Sequence, residues 1–177
     1  MKKIALVLFL FPYLNFAQKN EATLVDSLCF IENLPHCLVQ KTQVLDSNAL
    51  YWRIVRLKDK AIPYLIEHID DTTTTTVTIQ YFGGNYTLGD IAYEVLKEII
   101  KDIPTFEILG IPYDSTGCGY CSYWQHLNDL SNRKKFKIAL QKWYYKNQEN
   151  LIWKGYKWEG EICFYRKPII GYYILEK

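Results

Sequence analysis

Apolar residues recur at helical spacing through the middle of the chain. Over residues 88–103, Leu88, Ile91, Ala92, Val95, Leu96, Ile99, Ile100 and Ile103 step by three and one, while Asp90, Glu94, Lys97, Glu98, Lys101 and Asp102 take the other positions. That is the stripe a 3.6-residue period needs to bury one face. Thr87, with Asp90 three residues on, has the form of a capping box, and Pro104 is expected to close the helix. Upstream, Ile62, Leu65, Ile66 and Ile69 repeat the spacing over residues 60–69, with Asp59 as a cap and Pro63 in the first turn, where a missing amide costs little. A helix over residues 49–58 is expected to turn Leu50, Ile54 and Leu57 inward, flanked by Tyr51 and Trp52, with Asp46 and Ser47 offering caps. One over residues 21–33 carries Leu24, Val25, Leu28 and Cys29 inward and ends at Pro35.

Downstream, residues 105–109 fit an extra turn, and residues 120–130 a short helix with Trp124, Leu127 and Leu130 inward. Ser131 or Asn132 then caps a helix reaching 147, with Phe136, Ala139, Leu140, Trp143 and Tyr144 on one face. Two stretches break the helical period. Residues 72–86, five threonines and then VTIQYFGGNY, place β-branched and aromatic residues on both sides of a Gly-Gly-Asn turn and predict a small hairpin. Residues 161–165 and 169–175, split by Lys167 and Pro168, predict a terminal hairpin. The pattern as a whole specifies a mainly α chain with small β additions.

The segments AIPYLIEHIDD (residues 61–71) and GDIAYEVLKEII (residues 89–100) resemble the first and second helices of a HEAT-type repeat, with Ala92 where helices of that family approach closely. The match covers about forty residues, one repeat of the usual length. It implies a HEAT-like helical hairpin at the core and a role in binding. Where the family has a short turn, this chain has the 72–86 insertion.

Composition sharpens the picture at the N-terminus. Lys2 and Lys3 precede an apolar run over residues 4–11, and Ala17 stands where a signal peptidase wants a small residue before Gln18. The run is too short to span a bilayer, so residues 1–17 read as a cleaved signal, and residues 18–177 as one exported domain, periplasmic or secreted, with no transmembrane segment. Removing Lys2 and Lys3 takes the formal charge from +2 to zero, which leaves no general pull on nucleic acid or acidic lipid. The basic run Arg133, Lys134, Lys135, Lys137, Lys142 and Lys146 then reads as a solvated outer helix face.

Five cysteines in an exported chain make disulfides the expectation and leave one over. The pairs closest in sequence are Cys29 with Cys37 and Cys118 with Cys121. Cys118-Gly119-Tyr120-Cys121 resembles a thioredoxin-type CGxC opening a helix, where amide dipoles lower one thiol pKa. The loop residues before it, Tyr113 to Gly117, do not match that family's buried strand. This keeps a periplasmic thiol-disulfide oxidoreductase as the alternative to a structural bond. A zinc reading of Cys118, Cys121 and His126 lacks a fourth ligand. No nucleotide loop, Ser/His/Asp set or paired-carboxylate site is legible, so neither a catalytic residue nor a cofactor is assigned.

The reading favoured by the sequence is therefore a non-enzymatic binding module with a protein as its partner, and carbohydrate as a weaker fit to the rings of Trp153, Tyr156 and Trp158. The binding candidates are Tyr81, Phe82 and Tyr86 at the tip of the insertion. They either present a contact surface or fold back over the end of the 88–103 helix.

Overall fold

The structure is a computed structural model that describes residues 20–35, 49–79, 83–155 and 171–176. Residues 20–25 are helical and run into a 3₁₀ turn, Asp26–Phe30. The chain continues through α1 (Leu50–Val55), a 3₁₀ turn (Lys58–Ala61) and α2 (Ile62–Glu67). The strands β1 (Thr74–Thr78) and β2 (Asn85–Thr87) lead into α3 (Leu88–Ile99), α4 (Thr105–Leu109), α5 (Cys121–Leu127) and α6 (Leu130–Asn147). A last 3₁₀ turn, Gln148–Asn150, precedes β3 (Leu151–Gly155) and β4 (Gly171–Leu175). The fold is mainly α, with two small antiparallel hairpins, β1–β2 and β3–β4. No helix among the described residues is long and apolar enough to cross a membrane.

α3 is the hub. It packs against α1, α2, the leading 3₁₀ turn, β2 and β4, and Ile91, Ala92, Val95, Leu96 and Ile99 are buried as the spacing requires. Its capping box is complete: Asp90 N donates to Thr87 Oγ1 at 3.2 Å, and Thr87 N donates to Asp90 Oδ2 at 2.9 Å. Two features depart from the sequence pattern. Asp90 does not share the outer face with Glu94 but is buried, as is Tyr93, because α6 covers a second side of the helix. The helix also stops at Ile99, well short of Pro104. Ile100 turns extended and forms a parallel bridge with Tyr173, and Lys101 N donates to the Tyr173 carbonyl at 2.9 Å. Strand β4 thus takes over backbone groups that another helical turn would have used.

The helices before α3 show how short elements change phase. In the leading segment Val25, Leu28, Ile31 and Leu34 are buried at a period of three, the period of a 3₁₀ turn rather than of an α-helix. Cys29, expected to face inward, is therefore rotated into solvent. In α1 the inner face is made by Tyr51, Trp52, Ile54 and Val55, with Leu50 and Leu57 only half-buried. The rings reach further than the leucines, and Tyr51 OH donates to the Glu94 carbonyl of α3 at 3.4 Å. In α2, Ile62, Leu65, Ile66 and Ile69 line the core and Pro63 sits in the first turn as expected. Asp59 makes no cap; it accepts from Tyr173 OH instead.

The first hairpin turns at Gly83 and Gly84, both at φ 75°, a conformation that costs only glycine little. Its second strand runs straight into α3. Gly89, one residue into the helix, lies so close to the Ile69 carbonyl that any side chain would overlap it. This close approach seats the start of α3 against the turn that follows α2. At the other end of the fold, α6 is capped by Asp129, whose carboxylate accepts from Ser131 N at 2.6 Å, rather than by Ser131 or Asn132. Leu130 belongs to α6 and is exposed. The strand paired with Gly171–Leu175 is Leu151–Gly155, register Trp153↔Tyr173; residues 161–165 lie outside the described residues.

Candidate functional site

The sequence candidates fall in different settings. Tyr86 is buried at 4% exposure, its ring edge-on to Trp124 with centroids 5.7 Å apart. It covers the start of α3 rather than offering a contact surface, because β2 carries it directly onto that helix. Tyr81, Phe82 and Cys37 lie outside the described residues, as do Tyr156 and Trp158. Cys29 carries a free, exposed thiol. Cys118 and Cys121 come together: their sulfurs are at disulfide distance and their Cα atoms 5.4 Å apart.

That pair encloses only Gly119 and Tyr120, at the end of a loop with its own internal bracing. Pro104 opens α4, and Gly110, in the left-handed conformation at φ 69°, ends it and turns the chain outward. Asp114 Oδ1 accepts from Thr116 N at 3.1 Å and from Gly117 N at 2.9 Å, and Asp114 bridges Gly119 across the loop. Cys121 then begins α5. Tyr120, held between the two cysteines, is thereby fixed against Phe106 and Tyr113.

Those three rings meet edge to face: Phe106 to Tyr113 at 4.9 Å, Phe106 to Tyr120 at 5.3 Å, and Tyr113 to Tyr120 at 6.4 Å between centroids. They line a cleft of about 390 Å³ together with Ile103, Pro104 and the exposed Glu107. Tyr113 is 54% exposed. Beneath them a chain of ring contacts runs from Tyr120 through Tyr123 and Trp124 to Tyr86, while Tyr93 stacks on Tyr123 at 5.9 Å. Tyr93 OH and Thr105 Oγ1 share a 2.6 Å hydrogen bond, and Thr105 Oγ1 also lies 3.2 Å from the Ile103 carbonyl. Burial pushes the phenols of Tyr93 and Tyr123 well up from their ordinary range. Lys97, paired with Glu94 at 2.7 Å, sets its ammonium over Tyr120 and Tyr93.

No family model matches the chain, and no curated protein or solved structure is significantly similar to it. The chemistry of the cleft therefore rests on its own residues. It offers ring faces and one carboxylate, with the Lys97 ammonium over the Tyr120 ring, a surface suited to holding a side chain or a backbone turn. Among the described residues no group of three or more His, Cys, Asp or Glu is placed to hold a metal ion. Cys118 and Cys121, the thiols a zinc site would need, are engaged with each other.

Sequence reasoning missed Phe106 and Tyr113. The only local signal was a pair of turn-formers, Pro104 and Gly110, around Phe106 and a Pro-Tyr-Asp turn at Tyr113, and neither says that the rings converge.

Proposed function

We propose that this chain is an exported, HEAT-like interaction module without catalytic activity, and that Phe106, Tyr113 and Tyr120 form the face that holds a segment of a partner protein. The observation that carries this reading is Tyr113, a large ring left more than half exposed on a loop that Asp114 braces and that leads directly into the Cys118–Cys121 pair. A rigid exposed ring loses little conformational freedom on binding, which is why such residues concentrate binding energy. The pairing of α2 with α3 around Ile66 and Val95 supports the HEAT-like description. Residues 1–17 are read as the leader, so a secreted form beginning at Gln18, found by mass spectrometry, is the expected product.

The test is selection of peptides from a displayed library on the immobilised protein, followed by titration of the selected peptides. Tyr113→Ala should weaken them about tenfold or more, as loss of a central aromatic contact does. Peptides that bind Tyr113→Ala as well as the parent would end the cleft assignment.

The exposure of Cys118, at the outer side of a pair that opens α5, favours one second reading: a thiol-disulfide enzyme. In that reading a substrate thiolate attacks the Cys118 sulfur and expels Cys121 as thiolate. A bond that stays closed in mild reductant speaks for the structural role, and ready exchange with a dithiol speaks for the enzyme.

A further inference from the structure

α6 holds six basic residues and no acidic one, and the fold divides them. Arg133 turns inward onto Asp90. Lys137 reaches Asp70 and Glu67, each at 3.1 Å, along one edge of the helix. Lys134, Lys135, Lys142 and Lys146 stay exposed, and among the described residues none of the four pairs with a carboxylate. The same outer face carries three large apolar side chains: Leu130, 47% exposed, Ile138, 52%, and Tyr145, 56%.

The helical period sets these seven in register. At about 100° per residue, Leu130, Lys134, Ile138 and Tyr145 fall within roughly 80° of arc, and Lys142, Lys135 and Lys146 follow along one flank. Phe136, Leu140 and Tyr144 occupy the opposite side and are buried. The result is a helix of about 27 Å with a core face and a second, amphipathic face whose three apolar side chains are each about half exposed. The zero net charge of the exported chain hides this segregation. The attraction is local: Glu67 and Asp70 are held at the other edge by Lys137, and Asp129 and Glu149 lie just beyond the two ends of the helix.

Lysines alone would suit any polyanion, but Leu130 and Ile138 would gain nothing from a phosphate backbone. A bilayer interface uses both kinds of residue. Apolar side chains and a tyrosine seat at the headgroup level, while lysine stems lie along the apolar surface and lift their ammonium groups to lipid phosphates. We propose that the outer face of α6 docks flat on an anionic lipid surface, with Leu130, Ile138 and Tyr145 seated among the headgroups and Lys134, Lys135, Lys142 and Lys146 on their phosphates. This surface is separate from the aromatic cleft and does not depend on it.

Flotation with phosphatidylcholine vesicles, with and without phosphatidylglycerol, tests the proposal. Parent and variants are compared in one background, so any retained leader contributes equally. The parent should float only with phosphatidylglycerol vesicles and be released as salt is raised. Lys134→Gln with Lys142→Gln should lower the partition coefficient about thirtyfold, and Ile138→Ser with Tyr145→Ser should also lower it, with circular dichroism unchanged in both. Equal binding to neutral vesicles, no binding to either kind, or α6 variants that float like the parent would overturn it. Retention on heparin or duplex DNA without vesicle binding would overturn it in favour of a polymeric anion.

Discussion

Arg133 reaches from α6 to the first turn of α3, where its Nη1 donates to Asp90 Oδ1 at 2.9 Å and to Thr87 Oγ1 at 3.1 Å. Its Nε donates to the Leu127 carbonyl at the end of α5, at 2.6 Å. One buried guanidinium thus ties together the insertion, the hub helix and both elements that follow the disulfide loop. Asp90 serves twice, as the helix cap and as the counter-ion, and both side chains are nearly inaccessible.

A buried charge that loses its partner keeps its desolvation cost without compensation. Arg133→Met should therefore cost about 3–5 kcal/mol. Adding Asp90→Asn, which removes the stranded charge, should return part of that loss. Urea melts of the two single variants and the double variant give the coupling. Additive losses would show that the pair does not act as a unit.

How far this was legible in the sequence follows the distance over which the signals act. The α3 stripe and the Thr87–Asp90 box are local and stood in the pattern. The Arg133–Asp90 pair spans 43 residues, and each partner had a bland local explanation: Asp90 as a polar-face residue, Arg133 as part of a basic run. Cys29 was misplaced because a 3₁₀ turn and an α-helix differ by only about 20° per residue, enough to move a residue from core to solvent within one turn. The cleft was not legible at all. Phe106 and Tyr113 have no period to reveal them, and the loop that brings Tyr120 to them is shaped by Asp114 and the cysteine pair. The terminal hairpin was half legible: β4 was identified, but its partner Leu151–Gly155 precedes the expected strand, since pairing depends on where the chain returns.

Ile66 on α2 and Val95 on α3 are both buried in the shared core. Truncating either to alanine removes buried methyl groups and leaves a cavity, with an expected loss of about 2–4 kcal/mol for Ile66 and toward the lower end for the smaller Val95. Denaturant melts measure it. Losses under about half a kcal/mol at both positions would mean that the two helices do not pack as a hairpin.

Alkaline pH should unfold the protein through its buried phenols. Tyr51 is held up by burial first and then by Glu98 and Glu94; burial also dominates at Tyr93 and Tyr123. All three stay protonated in the folded state at a pH where an unfolded tyrosine, with a pKa of about 10, has ionised. The unfolded state then holds fewer protons than the folded one, so stability is intact below about pH 10 and falls as pH rises above it. Tyrosinate absorbance followed with circular dichroism should show the exposed phenols titrating first and a late fraction appearing together with loss of helix. A single early titration of all tyrosines with helix intact would contradict the burial of these three.

Tyr86 decides between the two roles open to the insertion's rings. Its side chain is buried against Trp124, its strand runs directly into the Thr87 cap, and burial raises its phenol pKa before the nearby Glu94 and Asp90 add to the effect. A ring in that position contributes as a core residue, and replacing it by serine strands a small polar group beside an emptied volume. The loss should resemble a buried Phe-to-Ala change, about 3–5 kcal/mol, which in a domain of this size lowers the melting temperature on the order of 10 °C. Trp124 fluorescence should shift in the same variant, since the indole loses the ring on its edge. A melting temperature within a degree or two of the parent would mean that Tyr86 is not part of the core. It would then return to the surface role that Tyr81 and Phe82 retain as candidates.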